Sequence, residues 1–157
     1  MYQRSALSLE TAMKGLEAML IEAAKDPNHR YAVAIADDRG EIIIFARQDG
    51  CSQFHNEMAI KLASEAAEGF NTRNPDRRKG WEKEGIDHTM FARGTKLVMV
   101  GGGVPVLKPG EEAKGGHKTR ISIGGIGTSG AGQDENERLS LFGANFIKDI
   151  LWAEKGE

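Results

Sequence analysis

The stretch YAVAIADDRGEIIIFA, residues 31–46, decides how the rest of the chain is read. Tyr31 to Ala36 and Glu41 to Ala46 are two short apolar runs joined by Asp37-Asp38-Arg39-Gly40. A polar turn closed by glycine between such runs predicts an antiparallel hairpin. The unbroken Ile42-Ile43-Ile44-Phe45 predicts a strand covered on both faces.

Upstream, Ser8 is a suitable N-cap, and Glu10 sits where a helix dipole favours negative charge. Leu9, Ala12, Met13, Leu16, Leu20 and Ala23 recur at three- and four-residue steps, and Asp26-Pro27-Asn28 ends the helix. Downstream, the loop Gln48–Ser52 leads to a second helix from about Asn56. Its apolar face is Ala59, Leu62, Ala63, Ala66 and Phe70, and so many alanines imply close approach to another element. From Asn71 to Arg93 the pattern dissolves into a polar excursion. Leu97–Val100 reads as a third strand, Val104–Leu107 as a fourth and Arg120–Ile126 as a fifth. A last helix starts near Gln133, with Leu139, Phe142, Phe146, Ile147 and Ile150 as its expected buried stripe. Strands and helices do not alternate strictly. The expected class is therefore α+β, an antiparallel sheet of about five strands with flanking helices, in one domain spanning 1–157.

Composition excludes more than it selects. A net charge of -2 offers no field for phosphates or anionic lipids, so neither nucleic acid nor membrane is an expected partner. The single Cys51 forms no internal disulfide, and residues 1–20 lack the basic start and apolar run of a signal peptide. Cytoplasmic residence is the expectation.

Several motifs point to a small-molecule ligand. Gly125-Ile126-Gly127-Thr128-Ser129-Gly130 matches the dinucleotide fingerprint, but the strand and acidic residue that fingerprint needs downstream are missing. A tight strand-to-helix turn remains, whose N–H groups could hold a carboxylate or phosphate. Gly101-Gly102-Gly103 before Val104-Pro105 has the same two readings, a sharp bend or close approach to a ligand. The histidines His29, His55, His88 and His117 show no zinc spacing. His29 lies at a helix–strand junction and could present one nitrogen to a haem iron; His55 precedes a helix beside Asn56 and Glu57. Cys51 reads as a packed residue, Ser129 lacks a nucleophile elbow, and Arg77-Arg78-Lys79 near Trp81 reads as a solvated face.

Taken together, these segments resemble the GlcG/HbpS family, which includes the C-terminal domain of PduO-type corrinoid adenosyltransferases. The matching residues are Ala32–Asp37 with Gly40, Phe45–Gly50, Met58-Ala59 with Ala63, Gly101–Pro105, Ile123–Gly130 and Gln133-Asp134-Glu135. The resemblance implies a profilin-like sheet with flanking helices, homo-oligomers, and haem binding in several members. Where the family usually has a lysine, this chain has Leu62.

Three functional readings stay open, one of them a purely structural accessory subunit of a larger enzyme. In the first the chain binds haem or a related tetrapyrrole, as an accessory to a catabolic operon. His29 or His55 would meet the iron, Phe54 and Met58 line the slot, and Arg47 meet a propionate. In the second it is a small isomerase, hydrolase or lyase acting on a carboxylated intermediate. Arg47 would then grip the substrate, His55 or Glu57 move protons, and glycine N–H groups stabilise an oxyanion. In either case Arg47, the loop Asp49–Glu57, Gly101–Pro105 and Gly125–Ser129 with Gly130 are expected to converge on one pocket.

Overall fold

The computed structural model describes residues 4–69, 72–73, 79–80, 82–85, 100–108 and 121–155. The expected helix α1 (Leu9–Ala23) forms, and the Ser8 hydroxyl accepts the N–H of Thr11 as its cap. The hairpin follows as β1 (Ala32–Asp37) and β2 (Ile42–Arg47), paired antiparallel from Ala32↔Arg47 inward. Then come α2 (Gln53–Ala66), β3 (Gly103–Leu107), β4 (Ser122–Ser129) and α3 (Gln133–Lys155).

Among the described residues the sheet has four strands, in the order β2-β1-β4-β3, with every neighbouring pair antiparallel. The class is α+β as expected, but the strand number is four rather than five. Leu97–Met99 of the expected third strand lie outside the described residues, and Val100 is a bend. β4 starts and ends later than expected, because Gly127, Thr128 and Ser129 continue the ladder against Ala34, Val33 and Ala32.

β1 builds two cores by simple alternation. Tyr31, Val33 and Ile35 point into the larger one, with Leu16 and Met19 of α1, Ile126 of β4, and Leu139 and Ile147 of α3. Ala32, Ala34 and Ala36 face the other way, onto Ala59, Ala63 and Ala67. So α2 covers one face of the sheet, and α1 with α3 the other.

Three expectations need correction. β2 is an edge strand in this sheet, half-buried or exposed along its length, and so not covered on both faces. α2 begins at Gln53 rather than Asn56, which puts Phe54 and His55 in its first turn. On α3, Leu139 and Ile147 are buried, but Phe142 and Phe146 are 36% and 38% exposed. The helix turns its small residues inward instead: a Cβ at Gly143 would collide with Met19 of α1 and crowd Ile126 of β4.

Candidate functional site

The register assembles one end of the sheet. Ala32 pairs with both Arg47 and Ser129, so the start of β1 lies between the ends of β2 and β4. The loop after β2 is fastened to this end. Gln48 donates its N–H to the Tyr31 carbonyl, and its side-chain oxygen accepts the Tyr31 N–H at 2.8 Å. The Cys51 thiol points at the Arg30 carbonyl at 3.5 Å, and Arg47 donates to the Cys51 carbonyl at 3.2 Å. Burial pushes the Cys51 thiol above its ordinary pKa, with the Arg47 charge opposing, which suits a packed residue rather than a nucleophile.

On the α2 side, His55 Nδ1 lies 2.7 Å from the Ser129 hydroxyl, a contact between residues far apart in sequence. The Phe54 ring meets the His55 ring edge-on, with centroids 5.4 Å apart, and is 63% exposed. Met58, one turn along α2 from Phe54, is half-buried, while Asp49 and Glu57 are exposed. Phe54, His55, Ser129 and Arg47 thus gather at one end of the sheet.

On the approach to β1, a residue that sequence reading took only as a helix stop proves central. The Asp26 carboxylate accepts three hydrogen bonds: the Asn28 N–H at 2.9 Å, His29 Nδ1 at 2.8 Å and the Tyr31 hydroxyl at 2.9 Å. The Asn28 N–H, then His29 and Tyr31, hold this carboxyl down at about 2. Burial and the facing carboxylate push the Tyr31 phenol up to about 12. Arg30 donates to the His29 backbone carbonyl at 3.2 Å. The signal was present in the spacing, an aspartate three residues before a histidine.

The glycines do not join this site as expected. Gly125 and Gly127 lie within β4, not in a loop, and pair with Ala36 and Ala34 on one side and Pro105 and Gly103 on the other. A Cβ at Gly125 would strike the backbone of Ala63 and Ala67; one at Gly127 would strike that of Ala59 and Ala63. They are glycine because α2 lies directly on the strand. The N–H of Gly101 is taken by the Gln133 side chain at 2.8 Å, and that of Gly103 by the Thr72 hydroxyl at 3.0 Å, so these donors are not free for a ligand. Gly102, with φ +134, has no room for a Cβ against the Thr128 carbonyl. Gly102 precedes one edge strand and Arg47 ends the other, so β1 and β4 lie between them. His88, His117, Arg77, Arg78 and Trp81 lie outside the described residues. Among the described residues no three His, Cys, Asp or Glu side chains gather as for a metal ion, and no helix is long and apolar enough to cross a membrane.

Residues 7–145 match the model of the HbpS-like family, described as haem degrading protein HbpS-like. Among solved structures, the chain is similar to the Klebsiella pneumoniae protein ORFY, with a TM-score of 0.75 at 17% identity over 94% of each chain. It is similar to HbpS, with a TM-score of 0.72 at 26% identity over 92% of each chain. A third similar structure is PduOC in complex with haem, with a TM-score of 0.68 and 22% identity over 90% of this chain and 94% of that one. No curated protein sequence matches at a significant level. The chain belongs to the HbpS-like family.

Proposed function

We propose that this HbpS-like chain binds haem or a related tetrapyrrole at the end of the sheet where β1 begins, with His29 facing the iron. The observation that carries the reading is the His29 imidazole. It is 42% exposed and has Nδ1 committed to Asp26, while Nε2 has no partner among the described residues. A porphyrin supplies four of the iron's ligands itself, so one protein nitrogen is enough, where a bare metal ion would need several. Arg30 and Arg47 supply cations of the kind propionates need, and exposed Phe54 with Met58 supplies apolar surface. Haem, when bound, would bring redox and oxygen chemistry; the chain's own residues hold and orient it. Titrating pure protein with haemin tests the reading. We expect a shifted Soret band that His29→Ala abolishes and His55→Ala keeps. No shift in the parent protein, or an unchanged band in His29→Ala, overturns it.

The His55–Ser129 hydrogen bond supports a second reading, a small enzyme acting on a carboxylated catabolic intermediate. Arg47 would hold the carboxylate, and His55 or Glu57 would move the proton. A metabolite thermal-shift screen separates this from the first reading: a stabilising carboxylate whose effect needs Arg47 supports it. We further propose a cytoplasmic homo-oligomer that serves a catabolic operon as an accessory. Leu9 and Met13 on α1, with Phe142, Phe146 and Trp152 on α3, leave apolar surface exposed on a packed helix pair. A monomer mass in light scattering at micromolar concentration would sink the oligomer.

A further inference from the structure

The two histidines at this end of the sheet differ in what holds Nδ1. An ionised carboxylate only accepts hydrogen bonds, so the neutral His29 ring facing Asp26 must carry its proton on Nδ1. Its Nε2 is then a bare lone pair. Ser129 is 3% exposed, and its hydroxyl has one partner among the described residues, Nδ1 of His55. A buried O–H left without an acceptor is costly, so Ser129 donates and the His55 proton sits on Nε2. The outward nitrogen is a ligand in one ring and a donor in the other.

From this we infer that Asp26 is the positioning residue that makes His29, and not His55, competent to ligate iron. The inference rests on the haem reading above and assigns it a residue outside the expected site. Neutral imidazole side chains in water favour the proton on Nε2, so His55 keeps the ordinary tautomer and His29 is driven to the rarer one. Asp26 is itself held in place by the Asn28 N–H and the Tyr31 hydroxyl, which fix the direction of its carboxylate. A histidine whose far nitrogen donates to a carboxylate is also a more basic ligand.

The chain without haem allows a first test. Long-range proton–nitrogen spectra at pH 8, assigned with His29→Gln and His55→Gln, should show a bare Nε2 on His29 and a bare Nδ1 on His55. Asp26→Ala should return His29 to the Nε2–H form and weaken haemin binding roughly 10–100-fold. Asp26→Asn can still accept the Nδ1 proton, so it keeps the tautomer and the fold while losing the charge. In its ferrous haem complex the iron–imidazole stretching frequency should fall. An Nε2–H tautomer on His29 in the parent chain overturns the inference. So does Asp26→Ala binding haemin as tightly as the parent while His29→Ala does not, or an unchanged stretching frequency in Asp26→Asn. If the parent chain takes up no haemin, the haem reading falls, and the nitrogen spectra still decide what Asp26 does to His29.

Discussion

The two faces of the sheet are packed on different terms. Under α2, alanine meets alanine, and glycine lets helix backbone rest on strand backbone. Under α1 and α3, Met19, Tyr31, Ile35, Ile126, Leu139 and Ile147 fill a thick layer. The thick layer supplies most of the buried apolar area and hence most of the hydrophobic stabilisation. The thin layer sets a distance. With alanine and glycine at most of its contact with β1 and β4, and Leu62 the one long apolar side chain it buries there, α2 has little freedom to rise or slide, and its first turn holds His55 against Ser129. One layer gives stability, the other position.

The sharpest way to break this contrast is to thicken the thin layer. Gly127→Ala places a methyl against the backbone of Ala59 and Ala63, where no rotamer change relieves the clash. Loss of more than about 3 kcal/mol, or no soluble folded protein, is expected in denaturant titration. An alanine tolerated there would mean that α2 can lift, and the rigid layer would be a fiction. Thinning the thick layer should cost less than that. Ile147→Ala deletes a fully buried side chain and should destabilise by roughly 2–4 kcal/mol, with the protein still folded and the His55–Ser129 contact kept in NMR spectra. Loss of that contact would show that the two layers are not independent.

The smallest effect is on pH dependence. Asp26 ties the end of α1 to Tyr31 of the thick layer, and its carboxyl titrates at about 2 instead of 3.8. The folded state binds that proton less readily than the unfolded one. Its share of stability is therefore present above 3.8 and is lost as the pH falls through about 2. Asp26→Asn should flatten the acid limb of the stability profile over that window. A profile identical to the parent's would remove Asp26 from the account of acid sensitivity.

What could be read from sequence follows the same division. The hairpin at 31–46 is legible because two short apolar runs and a glycine-closed turn between them are local signals. The α3 stripe was misread at Phe142 and Phe146 because periodicity rewards large apolar residues, whereas close helix contact selects Gly143 and Ala144. The glycines of β4 were taken for a ligand loop for the same reason. A strand lying under a helix backbone and a loop around a phosphate ask for the same residue. At the site, Arg47, Phe54 and His55 were found by their places near element ends. Asp26 was visible but already explained as a stop signal. The His55–Ser129 bond joins residues that only the sheet register brings together.

The strand order has a consequence for how the protein must be made. β4, the last strand in sequence, sits in the interior of the sheet between β1 and β3. A nascent chain can close the β1–β2 hairpin early, but it has nothing to lay along the other side of β1 until residues 122–129 leave the ribosome. Throughout that interval β1 carries a bare edge of unpaired N–H and C=O groups above an unfilled core, the kind of surface that recruits neighbouring chains and chaperones. Translation that stops before Ser122 therefore yields no shortened sheet. It yields a hairpin and a detached β3, with the strand that joins them missing from the middle.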